Sequence, residues 1–465
     1  MSDLVDARGW LDGHVNLESL GAPPGIDRRA AHPTLDRIDA LMSLLGSPQL
    51  DEPFIHLTGT NGKTSVARMA TALLVAHGLS VGAYTSPHLE RVNERITWGG
   101  QEISDEALDA LLALIAQLEP HLPGPPSFFE ILTAAALRFF ADVAVEVGVV
   151  EVGVGGTWDA TNVVDGRVAI VTNVTIDHVE YLGPTRADIA AEKAGIVKAG
   201  SILVLGETDP DLRATFEARG AAEVWVRDRD FRVTENRLAH GGRFVGLETP
   251  GARYPEMLLS LHGAHQADNA AIALAGVEAF LGRPLEDDVV AEVFASVRSP
   301  GRLEVVAHQP LVLLDGAHNV AGAQALRVAL EEEFPAGPRT LVVGLLREKD
   351  PAEMLDALDA RHCAQLVCCR PPSPRALDPT AVADAAITAG LDAGQVEVVD
   401  DVGAAVAEAI RRAGPSGQVV VTGSLYVVGA ARSAVGMPVR PSSRPGVGRA
   451  AVSGAAGSGA GVGAE

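Results

Sequence analysis

Residues 54–64 read FIHLTGTNGKT. The apolar run Phe54-Ile55-His56-Leu57 enters a turn made of Gly59, Thr60, Asn61 and Gly62, and Lys63 and Thr64 follow. Residues 65–77 continue with helical spacing. Strand, glycine loop, lysine and hydroxyl in that order are the parts of a nucleoside triphosphate cradle. Glycines let backbone N–H groups close on phosphate oxygens, and the helix start adds positive potential. The lysine brings a mobile cation, and the hydroxyl can reach a phosphate-bound Mg²⁺. The general pattern has a first glycine five positions before the Gly-Lys pair, and here Leu57 stands there. The shorter GTNGKT form is narrower and so more informative. Gly-Lys-Thr alone would also fit a strand–turn–helix corner with a solvated lysine.

With 465 residues the chain is too long for one ordinary core, which predicts two domains. The formal net charge of −23 argues against nonspecific grip on nucleic acid or an anionic membrane. It leaves room for an anionic small substrate, because a local lysine–metal cluster overrides the global sign. Three cysteines, two of them adjacent, form neither a disulfide framework nor a zinc spacing, and read as small buried hydrophobes. The start, MSDLVDARGW, has no apolar signal core, and no apolar run reaches the ~18 residues of a membrane span. A soluble cytoplasmic protein is expected.

Around the glycine loop the pattern alternates strand and helix. Residues 79–84 read as a strand delivering Thr85-Ser86-Pro87-His88-Leu89, followed by a polar stretch with Arg91, Asn93 and Arg95 that faces either a substrate or solvent. Residues 104–118 form an amphipathic helix capped by Ser104, and 131–141 a second helix opened by Phe128, Phe129 and Glu130. The run 143–152 reads as a buried strand ending in Glu151, a carboxylate that needs a charged partner or a metal. Residues 167–174 are the next strand and lead to Asp177-His178. Ligands gather at the carboxyl ends of strands in an open parallel sheet, which sends Ser86, Glu151 and His178 to one edge. Lys193 falls inside a predicted helix, 187–199, and a β-rich insert lies within 206–260. Asn269 stands near a helix start, where it either caps the helix or meets a base. Ser299-Pro300-Gly301-Arg302 marks a hinge, and strands at 311–315, 340–346, 365–370, 396–399 and 418–422 form a second α/β unit. The fold class is therefore α/β. A P-loop-type, doubly wound ATPase domain spans 1–298, and a smaller Rossmann-like domain spans 299–437. A Gly/Ala/Ser/Pro tail, 438–465, is expected to be disordered.

Taken together these motifs resemble folylpolyglutamate synthase/dihydrofolate synthase, within the Mur ligase superfamily. The resemblance runs from about residue 19 to 432. It rests on HLTGTNGKTS, YTSPHL, FFEILTAAA, VVEVGVGGTWDATNVV, DHVEYLG, EKAGIVK, HGAHQADNAAIA, SPGRLEVV, LDGAHN and TGSLYVVGAAR, in the family's order. Trp158 and Thr64 depart from the family's usual residues without removing a required group. The resemblance implies that Gly59, Thr60, Asn61, Gly62, Lys63 and Thr64 hold the ATP phosphates, with Asn269, Arg302 and Asp315 as further ATP contacts. It implies Ser86, Glu151 and Thr64 at a first Mg²⁺, and His178 with a carbamylated Lys193 at a second. Lys63, Lys193, His178 and His318 are the implied catalytic groups. His88, Arg91, Phe129 and Ser424 are implied substrate contacts, and a monovalent cation also fits the family. The implied reaction is ATP-dependent addition of L-glutamate to dihydropteroate, to a folate γ-carboxylate, or to both, by a monomer. Two alternatives remain: a peptidoglycan-type Mur ligase, which should carry an additional amino-terminal domain for a UDP-sugar, and a noncatalytic nucleotide switch, which the DGAHN and GSLY motifs argue against.

Overall fold

A computed structural model describes residues 6–20, 34–335 and 337–436. The strands in chain order begin with β1 (Phe54–Thr58), β2 (Val81–Tyr84), β3 (Ile96–Trp98), β4 (Gln101–Glu102), β5 (Val147–Glu151), β6 (Gly166–Val171), β7 (Ile202–Leu205) and β8 (Glu223–Val226). These eight form one sheet in the order β4-β3-β2-β5-β1-β6-β7-β8. From β2 to β8 across the sheet every pairing is parallel, and the β3–β4 hairpin adds an antiparallel edge. Every residue of β1, β2 and β5 is buried, as expected when helices cover both faces of a parallel sheet.

The register explains where chemistry collects. Leu57 lies opposite Glu151, Thr58 opposite Val171, and Tyr84 opposite Val150. The chain segments that follow, with Gly59, Ser86, Gly153 and Thr172, thus leave the sheet at one edge.

Some boundaries differ from the sequence reading. The helix after the glycine loop is Lys63–Ala76, so Lys63 itself takes the first helical position. The expected strand at 143–152 is only Val147–Glu151, because Val143 closes the helix Phe128–Asp142 and Ala144 adopts a left-handed conformation, φ 50°. Lys193 is not mid-helix: the helix is Arg186–Lys193, and a 3₁₀ turn, Ala194–Ile196, follows. Glu130 is a capping-box residue, exchanging hydrogen bonds with Ser127, and it also pairs with Arg37.

The insert is an antiparallel sheet of β9 (Arg232–Ala239), β10 (Gly242–Glu248) and β11 (Arg253–Leu259). Its Val245, Leu247 and Met257 share one core with the glycine-loop helix and with the helix His265–Leu281. The second large sheet contains β12 (Glu304–His308), β13 (Leu311–Leu314), β14 (Arg339–Val343), β15 (Gln365–Cys368), β16 (Val396–Val398) and β17 (Gln418–Thr422), ordered β12-β13-β17-β14-β15-β16. It is parallel apart from β12, an antiparallel edge strand the pattern did not reveal. Cys363, Cys368 and Cys369 are buried and free, and burial pushes their thiols up to about 11, 12 and 12. Among the described residues no helix is long and apolar enough to cross a membrane. The tail expectation for 438–465 lies outside the described residues.

Candidate active site

The glycine loop is closely packed and hydrogen-bonded by its neighbours. Gly62 opens the helix at φ 84°, and a Cβ there would sit 2.5 Å from the Asn269 Oδ1. A Cβ on Gly59 would strike the Thr172 Oγ1 at 1.8 Å. Thr60 N–H donates to the Asn173 carbonyl at 3.0 Å, and Asn61 N–H to the Asn173 Oδ1 at 3.0 Å. Asn269 is thus neither a cap nor free; its amide donates to Gln266 and its oxygen packs on the loop.

Lys63 folds back on its own loop. Its Nζ donates to the carbonyls of Gly59, at 3.0 Å, and Thr60, at 3.3 Å. The buried Lys193 reaches the same Gly59 carbonyl from behind at 2.9 Å. Burial, then the neighbouring Lys63, brings the Lys193 amine down to about 7. Burial also lowers Lys63, with Glu151 and Asp177 opposing that shift.

Glu151 lies 1% exposed at the tip of β5. It accepts from the Thr64 hydroxyl at 3.0 Å and from Ser86 N–H at 3.3 Å. No ion pair reaches it among the described residues, and burial raises its pKa. A buried carboxylate beside two hydroxyl-bearing residues, with no cation bonded to it, suits an oxygen-seeking ion such as Mg²⁺. His178 takes a left-handed conformation, φ 50°, before the short helix Val179–Leu182. Burial lowers its pKa to about 4, so its ring is neutral near pH 7 and keeps a lone pair. No cluster of three or more His, Cys, Asp or Glu side chains forms a metal site among the described residues, and Lys193 lies behind the loop rather than on the cavity wall.

The second sheet supplies the opposite wall. Asp315 follows β13 and accepts from the N–H groups of Leu303, at 2.8 Å, and Ala317, at 2.9 Å. Arg302 packs so tightly on Gly316 that a Cβ there would lie 2.3 Å from its Nη1. His318 Nδ1–H donates to the Gly316 carbonyl at 2.8 Å, and its Nε2 lies 3.5 Å from the Asp177 Oδ2. Between the walls lies a cavity of about 1720 Å³. Lys63, Glu151 and His178 line one side of it, and Arg302, His318 and Ser424 the other. Apolar residues on its lining include Trp10, Val15, Pro126, Phe129 and Trp158.

The Mur ligase middle-domain family matches residues 57–277, and the Mur ligase glutamate ligase domain matches 301–425. The dihydrofolate synthase/folylpolyglutamate synthase of Mycobacterium tuberculosis is 42% identical over 445 residues, spanning 87% of this chain and 90% of that one. The chain belongs to the dihydrofolate synthase/folylpolyglutamate synthase family. The crystal structure of M. tuberculosis folylpolyglutamate synthase complexed with ADP and AMPPCP matches with a TM-score of 0.82 at 42% identity, covering 88% of this chain and 97% of that one. E. coli FolC in complex with DHPP and ADP matches at 0.80 and 29% identity, covering 92% and 97%.

Not every family-implied contact reaches the cavity of this family member. His88 does not line it; its Nδ1 accepts from the buried Arg95 at 2.9 Å, and Arg95 in turn holds Glu18. Arg91 is also outside, bonded to Asp105 at 2.7 Å. Both are polar residues near the site that are engaged by other neighbours, His88 by Arg95 and Arg91 by Asp105. Phe129 and Ser424 do line the cavity, although the Ser424 hydroxyl also caps the helix Leu425–Ala434.

The sequence reading missed the group that joins the walls. Asp177 is buried and receives Lys349 Nζ at 2.6 Å and Asn319 Nδ2 at 2.9 Å. Asn319 Nδ2 also meets the Asn61 Oδ1 of the glycine loop at 3.1 Å. Asp177 and Asn319 sit in motifs that were recognised, but nothing in the LREKDP segment marked Lys349.

The His88 environment makes an acid-stability prediction. Burial, then the Arg95 charge, lowers His88 to about 4, against 6.5 for an exposed histidine. A depressed base contributes stability above pH 6.5 and loses it as pH falls toward 4. His88→Gln keeps an acceptor for Arg95 and cannot titrate. We expect it to remove up to about 3 kcal/mol of the pH dependence between 6.5 and 4, measured by urea unfolding at stepped pH. An unchanged acid branch would disprove the assignment.

Proposed function

We propose that this protein joins L-glutamate to the carboxylate of dihydropteroate, to the γ-carboxylate of a folate, or to both, at the expense of ATP. A carboxylate is a poor electrophile. Transfer of the ATP γ-phosphoryl group to it creates an acyl phosphate, and the glutamate amine then displaces phosphate to leave an amide. The observation that carries this reading is one cavity with the glycine loop and Lys63 on one wall, the Arg302–Asp315–His318 group on the other, and Trp10, Phe129 and Trp158 on its lining.

Each residue's part follows from its chemistry. The backbone N–H groups of Gly59 to Thr64 hold the triphosphate, and Lys63 leaves its loop carbonyls to meet the transferred phosphoryl oxygens. Arg302 and Asp315 orient the nucleotide, with Asn269 behind the loop. Phe129 packs on the acceptor, and His318 and Ser424 bind the incoming glutamate. Ser86, Glu151 and Thr64 would hold a first Mg²⁺ and His178 a second, which Lys193 would join only if a carbamate on its amine left the Gly59 carbonyl and reached into the cavity. Bound Mg²⁺ supplies charge neutralisation on the phosphoryl group. Lys193 at about 7 is partly unprotonated near neutral pH, as reaction with CO₂ requires. The unit up to residue 298 would carry nucleotide and acceptor, and 299–437 glutamate, so that closure keeps water from the acyl phosphate.

The test is a substrate panel: dihydropteroate, tetrahydrofolate and methylenetetrahydrofolate, each with ATP, Mg²⁺ and L-glutamate. ADP release is expected only when a pteroate-type acceptor and glutamate are both present. Turnover on a muramyl peptide with none on pteroates would overturn the reading. Intact mass of the native protein, and rescue of Lys193→Ala by short carboxylates, test the carbamate separately.

A further inference from the structure

The loop that begins at Ser86 does more than present that residue. Leu89, three residues on, packs against the core of the second sheet, beside Val427, Val428 and Ala431. Gly301, in the hinge segment, lies against the Leu89 side chain: a Cβ there would be 3.2 Å from its Cδ1. Gly429 lies against its backbone: a Cβ there would be 2.1 Å from the Leu89 carbonyl oxygen. Gly429 sits inside the helix Leu425–Ala434 and has no positive φ. Its glycine is needed for close approach, not for backbone conformation.

Charge fixes the rotation of this contact. The Glu90 side chain, 8% exposed, pairs with Arg432, and one of its oxygens accepts from the Ser433 hydroxyl at 2.8 Å. Arg432 also holds Glu304 of β12. The loop cannot flex independently, because the Glu94 carboxylate accepts from the N–H groups of Leu89, Glu90 and Arg91 at 2.9, 2.8 and 2.7 Å. At its near end Ser86 N–H is bonded to Glu151, and the gripping helix starts at Ser424 on the cavity wall.

We propose that Leu89 seated on Gly301 and Gly429, keyed by Glu90–Arg432, is the bearing that sets the distance between the phosphate side and the glutamate side of the cavity. Leu89, Glu90, Gly429 and Arg432 are positioning residues: none lines the cavity, yet the contact links Ser86 to Ser424 through a short rigid path. The inference rests on the ligase reading for its kinetic consequence only.

Gly429→Ala is the decisive variant. Alanine favours a helix interior over glycine, so the helix itself is not weakened, while the added methyl meets the Leu89 carbonyl and forces the two units apart. With ATP and a pteroate acceptor saturating, KM for L-glutamate is expected to rise at least tenfold, with the melting temperature within a few degrees of wild type. The radius of gyration from small-angle scattering with ADP present should increase. Glu90→Ala should raise KM for glutamate in the same way, and Glu90→Asp should recover part of the loss. A role in folding alone would instead lower the melting temperature and the active fraction while leaving KM unchanged, and that result overturns the proposal. So does a Gly429→Ala protein with wild-type KM and scattering. If the wild-type protein forms no amide at all, the ligase reading fails, and the scattering comparison still decides the bearing.

Discussion

Replacement of Lys63 by alanine is expected to lower kcat about a thousandfold while leaving the fold intact. Among the described residues this ammonium donates to the Gly59 and Thr60 carbonyls, in a place where burial disfavours its charge. It contributes little to folding there, because desolvation offsets those two hydrogen bonds. Its value appears when phosphoryl transfer spreads negative charge over oxygens beside it. Loss of one such group costs about 3–4 kcal/mol of barrier, which is two to three powers of ten in rate. Single-turnover amide formation at saturating ATP measures this effect. The melting temperature without nucleotide should stay within a few degrees of wild type, and the stabilisation by ADP should shrink. Activity within tenfold of wild type would remove Lys63 from the proposed chemistry.

The second large effect concerns Asp177, where both walls meet. Its carboxyl is buried, which alone would raise its pKa, yet His178, His318 and Lys349 together hold it well below the usual carboxylate range. Asp177→Ala leaves Lys349 and Asn319 without their acceptor and frees the Asn61 side of the glycine loop. Breaking a buried pair from one side costs about 3–5 kcal/mol. Lys349 keeps some solvent contact, which places the stability loss toward the lower figure. The same change should lower kcat about a hundredfold, because the glycine loop loses its tie to the opposite wall. A double-mutant cycle with Lys349→Ala should return a coupling of about 1–3 kcal/mol. Additive effects of the two substitutions would show that the bond does not hold the walls together.

The parts of this molecule legible in the sequence are those written into contiguous residues. The strand–loop–lysine order at 54–64 marked the glycine loop that lines the cavity, and the rule that ligands collect at strand carboxyl ends brought Ser86 and Glu151 beside it. The solitary carboxylate at the end of an apolar strand was informative because burial leaves a charge few options. Contacts between distant segments left no such trace. Lys349 lies 172 residues from Asp177, in a charged turn that by pattern is an ordinary surface loop. Arg91 and His88, read as substrate contacts, do not line the cavity, for the converse reason. Polar residues beside a site look alike in sequence whether they face a ligand or each other, and here Arg95 and Asp105 had already engaged them. The edge strand β12 was missed because a five-residue run, Glu304–His308, with polar ends gives little periodicity to read.

The placement of the tryptophans carries a practical consequence. The chain has four, and two of them, Trp10 and Trp158, stand on the wall of the large cavity, whereas Trp98 and Trp225 do not. Indole emission shifts with local polarity and is quenched by flat conjugated molecules nearby. An acceptor entering the cavity should dim the intrinsic fluorescence of Trp10 and Trp158, and the other two residues would supply a constant background. The protein thus carries its own optical titration signal for acceptor occupancy, readable without a label and before any bond is made.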